Sequence, residues 1–311
     1  MKIKLDSFFS FLAVALWASA FAFTKLALEH FSVTSLSFLR YLFASIFFLF
    51  FIILKKIKLP KVKDLPTFIL SGFIGYSFYI YAFNRGSLDT SAALSSIIIS
   101  VAPILTAFLS RILYREKIKR SSYFAVVIQF FGILIIFSSG GKLKISQGMI
   151  WIILAMISLS FFNILQKRLL KNYGTLEVTV YSIFFATLFL IPFMKVSLQE
   201  IKTAGIMQIF NVFFLGVISS AIGSLCWIIA LAHTNKVSTV SNFLFLMPVL
   251  STAFGLIILK EIPKLSTIIG GIVIIYGSFY FQHLNKQLIC TIEEEKKGKD
   301  YFVNFINNDI N

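Results

Sequence analysis

Apolar residues recur along this chain in long blocks separated by short polar segments. Ten blocks reach or approach the roughly 20 residues that a helix needs to cross a hydrocarbon layer: 8–28, 33–54, 66–83, 90–113, 122–139, 148–168, 175–194, 206–232, 238–259 and 265–282. Stretches such as 150–158 and 268–276 are apolar on every side, whereas a membrane β-barrel alternates apolar and polar positions over about ten residues. The pattern predicts an all-α membrane protein with ten transmembrane helices.

The punctuation between the blocks repeats. Arg115-Glu116 matches Lys260-Glu261, Pro103 matches Pro248 and Gly132 matches Gly277, all at a separation of 145 residues. Phe23-Thr24-Lys25 matches Leu165-Gln166-Lys167 at 142. The expected organisation is a five-helix repeat over 1–139, a linker over 140–147, a second five-helix repeat over 148–283 and a polar tail over 284–311. The Gly140-Gly141-Lys142 segment lacks the spacing and the Ser/Thr of a phosphate-binding loop. An odd number of helices per unit makes the second unit start from the opposite side, so the repeats are expected to be inverted.

Charge adds orientation. The 311 residues are 58% hydrophobic, with a mean hydropathy of +0.88 and a formal net charge of +16. The 29 Lys and Arg residues sit in clusters at the block ends, which reads as membrane orientation and not as a nucleic-acid face. With the N-terminus inside, twenty fall on cytoplasmic flanks and eight outside, with Arg40 inside the second block. Both termini are therefore expected in the cytoplasm of a cell whose inner membrane holds the protein. Lys2, Lys4 and Ala18-Ser19-Ala20 have the look of a secretory signal, but the apolar run continues to Leu28, as a first span would. Cys226 and Cys290 give neither a disulfide framework nor a metal-ligand spacing, so no metal and no cofactor is expected.

Several of these residues form a recognisable series. Leu16-Trp17-Ala18-Ser19-Ala20-Phe21 followed by Lys25, then Arg40 in Phe38-Leu39-Arg40-Tyr41, then Thr90-Ser91-Ala92 leading to Pro103 and Glu116, with Val237, Pro248 and Glu261 as a second copy, resemble the drug/metabolite transporter superfamily and specifically its ten-helix EamA-type members. The resemblance covers about residues 8–282. It implies two inverted five-helix repeats and a transporter of a kind that often exports amino acids or related metabolites. Small four-helix multidrug relatives carry a glutamate in their first helix for proton-coupled exchange; residues 11–23 here are all apolar or small, so that mechanism is not carried over.

Charges inside a membrane are costly and usually functional. Asp6, Glu29, Asp64, Asp89, Glu116, Glu177, Glu200 and Glu261 all lie at span ends or in loops, and the remaining five acids are in the tail. Arg40, about two turns into the second span, is the deepest cation; it reads either as a contact for an anion or carboxylate or as a snorkelling or structural side chain. Pro103 and Pro248 fall mid-span, where each removes a backbone hydrogen bond, and read as paired kinks beside a cavity or as ordinary transmembrane prolines. Ser91 with Ser95, and Ser238 with Asn242, are one helical turn apart and share a face. Trp17, Tyr79, Asn163, Tyr181 and Trp227 add polar or aromatic groups from other spans. For Ser95, Asn163 and Asn242 the readings are a cavity lining or interhelical hydrogen bonding. Gly216, Ser220 and Ser224, at four-residue spacing, favour close helix packing.

These features favour a secondary transporter that alternates access about a site between inverted repeats. Paired aspartates, a nucleophile with its base and H-E-x-x-H are all missing, and His30, His233 and His283 are scattered, which argues against an enzyme. A channel or membrane scaffold is the alternative, although no filter-like loop is evident. The expected partners are a small molecule and the lipid bilayer, without nucleic acid; a homodimer is compatible with the sequence. The expected cargo is a small uncharged or zwitterionic solute, an amino acid by preference, held against Trp17, Tyr79, Ser95, Asn163, Trp227 and Asn242.

Overall fold

A computed structural model describes residues 5–55, 57, 59–114, 122–137, 146–232, 242–277, 279–280 and 283. Among the described residues the regular elements are all helical. Seven helical stretches are long and apolar enough to cross a membrane: Ser7–Leu28, Val33–Ile53, Val62–Ser87, Ala92–Tyr114, Gln147–Leu169, Thr175–Thr203 and Ile206–Trp227. Three shorter apolar helices, Val127–Ile136, Met247–Leu259 and Leu265–Gly277, accompany them.

The first two spans are the unbroken helices α1 (Leu5–Leu28) and α2 (Val33–Lys55). The third is α3 (Leu65–Gly72), a π-helical segment Phe73–Phe78, and α4 (Tyr79–Ser87). The fourth is α5 (Ala92–Ile99) and α6 (Ala102–Tyr114). Next come α7 (Ser122–Phe137), α8 (Gln147–Leu169), α9 (Thr175–Leu190) and α10 (Met194–Thr203). A second π-helical segment, Phe214–Ile222, joins α11 (Ile206–Phe213) to α12 (Gly223–Ala232). A 3₁₀ turn, Asn242–Leu246, leads into α13 (Met247–Leu259), and α14 (Leu265–Gly277) follows.

Local chemistry sets several of these boundaries. Ser91 and Ser146 have extended backbones, and their hydroxyls accept the amides of Leu94 and Met149, capping α5 and α8. The carboxylate of Glu177 accepts the Gly174 amide at the start of α9. Pro103 and Pro248 are each the second residue of a helix, α6 and α13. At Pro103 the expected mid-helix kink thus takes the form of a stop at Ile99 and a restart at Ala102, while Pro248 follows directly on the 3₁₀ turn Asn242–Leu246. A proline fits the first turn of a new helix because its missing N–H has no partner to satisfy there. Lys260 ends α13 in the left-handed region at φ 54°, and the Glu261 amide returns to the Gly255 carbonyl at 3.1 Å.

The two halves pack through equivalent contacts. Gly72 in α3 lies so close to α9 that an added Cβ would stand 2.7 Å from the Ser182 carbonyl and from Phe185 Cβ. Gly216 in the second π segment lies equally close to α2, with the Arg40 carbonyl at 2.6 Å and Phe43 Cβ at 2.8 Å from such an atom. Gly72 and Gly216, Ser182 and Arg40, and Phe185 and Phe43 correspond at separations of 142 to 144 residues. Each half's third span therefore docks on the other half's second span. The π segments repeat the relationship: the Ser77 and Ser220 hydroxyls donate to the carbonyls five residues earlier, Gly72 at 3.2 Å and Leu215 at 2.8 Å. On the far side, α7 and α14 cross where Gly132 meets the Gly270 carbonyl and Gly277 meets that of Ala125.

Direction follows from which ends meet. Lys25 near the end of α1 contacts Thr90 before α5 and Glu261 just after α13, and Gly86 at the end of α4 abuts Gly148 at the start of α8. The fourth span thus begins where α13 finishes, and α8 starts at the end where α1 stops. The core between the halves draws on both, with Phe38, Leu39, Phe48, Ile80, Ile152, Ile183 and Leu215 all buried. Ile53, Phe50, Phe131, Ile257 and Ile272 stay exposed, as side chains facing lipid would be.

Candidate functional site

Among the described residues, the one buried charge faces the second π segment. Arg40, 8% exposed, reaches from α2 and donates from Nε to the Ser220 hydroxyl at 2.9 Å. Its Nη1 is buried and has no hydrogen-bond partner among the described residues, and neither does the hydroxyl of neighbouring Ser219. The phenols of Tyr41 and Tyr79 lie within electrostatic range of the guanidinium, and Tyr41 packs edge-on against Tyr76 at 5.4 Å. Close approach of the helices makes this possible, since only a glycine at 216 lets the π segment rest on the α2 backbone.

One turn beyond Ser220, the Trp17 indole lies directly on Gly223, where an added Cβ would stand 2.8 Å from its Nε1. Trp17 and Trp227 form a tilted pair with centroids 5.3 Å apart. Residues from α1, α2 and α12 that the sequence singled out are therefore brought onto one strip: Trp17, Arg40 and Trp227, with Tyr79 beside Arg40. Ser220, read from the sequence as a packing residue, is the link between the charge and the aromatic pair.

The other candidates are placed differently. Ser91 is occupied as the α5 cap. Ser95 is buried and shares a 2.7 Å hydrogen bond with Thr90. Asn163 donates to the Thr106 hydroxyl at 3.2 Å, joining α8 to α6. Tyr181 packs with Phe68, Leu169 and Val178 in a separate cluster near the opposite end of the bundle from Lys25. Asn242 begins the 3₁₀ turn before α13, and Ser238 lies outside the described residues.

The ends carry polar ties that the sequence did not pair. At one end Lys25 makes an ion pair with Glu261 and donates to the Thr90 carbonyl at 3.0 Å, while the other Glu261 oxygen accepts the Ala92 amide at 3.0 Å. At the opposite end the Tyr173 hydroxyl donates to Asp64 at 2.8 Å and accepts the Lys61 amide at 2.9 Å, and Lys167 lies over the Tyr114 ring at 5.3 Å. The signal available for the first tie was the placement of Lys25 and Glu261 on the same side of the membrane; nothing in the pattern pairs them. No cluster of His, Cys, Asp and Glu suited to a metal ion occurs among the described residues.

Comparison with known proteins adds to this geometry. The model of the EamA-like transporter family matches residues 6–138 and again 146–281. The chain is 30% identical to a protein of Bacillus subtilis named as the uncharacterized transporter YdfC, over 88% of its own length and 90% of that protein. It is 27% identical to a protein of Streptantibioticus cattleyicolor named as a probable terminal-alkyne amino-acid exporter, over 89% and 93% of the two chains. An S-adenosylmethionine uptake transporter of Rickettsia prowazekii is 22% identical over 84% and 86%. A solved crystal structure superposes with a TM-score of 0.62 at 16% identity, covering 91% of this chain and 98% of that one; at that identity the likeness concerns the fold alone.

Proposed function

The chain belongs to the EamA-like transporter family, and from that premise we propose that it is a ten-span secondary transporter with two inverted five-helix repeats, exporting amino acids or related zwitterionic solutes across the inner membrane by alternating access. The observation that carries the reading is the reciprocal docking of Gly72 on α9 and Gly216 on α2. Two antiparallel units, each with its third span seated on the other's second, can rock against one another about a site between them. The Trp17–Trp227 pair spans that interface, with one ring from each unit.

The names of two relatives frame the cargo. One is named a probable terminal-alkyne amino-acid exporter and the other an S-adenosylmethionine uptake transporter, and both names describe small solutes carrying an amino acid's amine and carboxylate. Export is favoured by the more similar of the two. The cargo surface consists of Trp17, Arg40, Tyr79, Ser220 and Trp227, with Ser95, Asn163 and Asn242 as the further polar positions. Both termini and the loops around Lys61 and Arg115 lie on the cytoplasmic side, following the distribution of Lys and Arg.

The test is counterflow in proteoliposomes loaded with each of the common amino acids. Saturable, stereoselective exchange that W17A and W227A each weaken at least fivefold supports the reading. Non-saturable flux would identify the channel alternative, and no flux for any zwitterion would refute the cargo class.

A further inference from the structure

We propose that Arg40 is the carboxylate-reading group of the transport site, and that the cargo supplies the counter-charge the protein withholds. The inference rests on the transporter reading above and narrows its cargo. Arg40 is more than nine-tenths buried inside a membrane-spanning helix, and no carboxylate pairs with it among the described residues. Among the described residues its protein hydrogen bond is the one from Nε to Ser220, and Nη1 has none.

A guanidinium carries five N–H donors and no acceptor. Burying it without a counter-ion costs several kcal/mol, and an ionisable side chain left at depth in a membrane protein usually marks the path of a cargo. The Ser220 bond fixes one side of the fork, so the group is oriented before anything binds. A planar fork held in this way suits the two oxygens of a carboxylate. A single positive charge balances one carboxylate and leaves a phosphate monoester under-neutralised.

The repeat sharpens the argument. The position equivalent to Arg40 in the second unit is Ser182, which shares a hydrogen bond with Ser71 at 3.1 Å. The glycine, the phenylalanine and the π segment with its back-bonded serine are duplicated in this contact. The charge is not. Packing therefore accounts for the duplicated residues but not for Arg40, and a cargo bound there is oriented, with its anionic end toward α2. From Ser220 the helix passes Gly223 and Trp17 to reach Trp227, a distance of about 10 Å at 1.5 Å per residue. A solute with its carboxylate on Arg40 thus lays the rest of its body along the tryptophan pair.

The experiment uses the full chain in lipid nanodiscs, with binding followed by thermal stabilisation and tryptophan fluorescence. The probes are the common amino acids, each compared with its own α-amide, with O-phosphoethanolamine as the phosphate arm. We expect every amino acid that binds to do so at least tenfold more tightly than its amide, with R40Q reducing that preference below twofold and R40K, which keeps the charge but not the fork, falling between. Equal affinity for acid and amide in the unmodified protein overturns the assignment, whether or not R40Q folds. So do an undiminished preference in folded R40Q, tighter binding of the phosphate probe, and failure of every acid to bind. Saturable counterflow of amides alone would remove the Arg40 assignment while leaving the transporter reading intact, whereas absence of counterflow by any probe removes both.

Discussion

Lys25 and Glu261 form an ion pair that crosses from the first unit to the second, each side chain about one quarter exposed. The Glu261 carboxylate also accepts the Ala92 amide, and the Lys25 ammonium also reaches the Thr90 carbonyl, so α1, α5 and α13 are drawn together at one end of the bundle. A partly exposed pair is worth about 1 kcal/mol or less, enough to bias a bistable end without locking it. We expect E261Q to accelerate modification of a Ser95→Cys reporter by a water-soluble maleimide about threefold to fivefold in a background lacking Cys226 and Cys290. The reversed pair K25E/E261K should restore the slow rate. Equal rates in all three backgrounds would mean that this tie does not gate access.

The reciprocal glycine contacts predict equivalent costs. Alanine at Gly72 would press on the Ser182 carbonyl and Phe185, and alanine at Gly216 on the Arg40 carbonyl and Phe43. Backbone cannot yield as a flexible side chain can, so each change should destabilise by about 1–3 kcal/mol. Gly174, whose added Cβ would find its nearest neighbour at 3.7 Å with φ −66°, is the control and should tolerate alanine. Thermal unfolding of G72A, G216A and G174A in one detergent checks this; a large loss in only one of the first two would break the proposed equivalence of the halves.

Much of this arrangement is legible in the sequence, and what is not has physical reasons. The apolar blocks and the Pro103/Pro248 and Gly132/Gly277 pairs are local or periodic signals, whereas Ser91, which reads as one of a face-sharing pair with Ser95, serves as the cap of α5. The two π segments left no trace, because one inserted residue barely disturbs a block that is apolar all round. Ser95 and Asn163 show the limit for polar residues. Their positions announced that a partner was needed, but cannot distinguish a cargo from the Thr90 and Thr106 hydroxyls they meet. Ser220 reads as a packing residue beside Gly216, and its bond to Arg40 depends on a chain segment 180 residues away.

Tyr173 ties the segment before α9 to Asp64 and the Lys61 amide. It lies between α8 and α9, and burial raises the proton affinity of its hydroxyl; the Lys61 amide works in the opposite direction, and the bonded Asp64 and nearby Glu177 add to the rise. The folded protein therefore holds this proton where the unfolded chain, with a phenol near its ordinary value of about 10, releases it. The contribution is complete below about pH 10 and declines as pH climbs from there toward the folded value. Y173F should be less stable than the unmodified protein near neutrality, and the gap should narrow above about pH 10. Unfolding midpoints in detergent from about pH 8 to about pH 11 would reveal it, and a constant gap would show that ionisation of Tyr173 plays no part.

Proton coupling is the remaining question, and the positions of the carboxylates bear on it directly. Among the described residues Asp64 is tied to Tyr173, Glu177 to the Gly174 amide, Glu200 to the Ser32 amide and Glu261 to Lys25, each at or beside a helix end. Glu29 and Asp89 sit in the turns after α1 and α4, and Glu116 lies outside the described residues. A carrier that moved protons through one buried acid would need that acid to meet both sides in turn from the interior, and none of the described carboxylates occupies such a position. We therefore expect E29Q, D89N, E116Q, E177Q and E261Q to leave the ratio of proton flux to solute flux unchanged, read with a pH-sensitive dye and a labelled solute in the same proteoliposomes. E261Q separates two causes that activity alone would confuse. If Glu261 is a latch, its variant changes the rate of exchange at constant ratio, whereas a proton-carrying Glu261 would leave exchange running while the proton flux disappears. Selective loss of proton movement in any one folded variant would sink the prediction and identify that residue as the carrier.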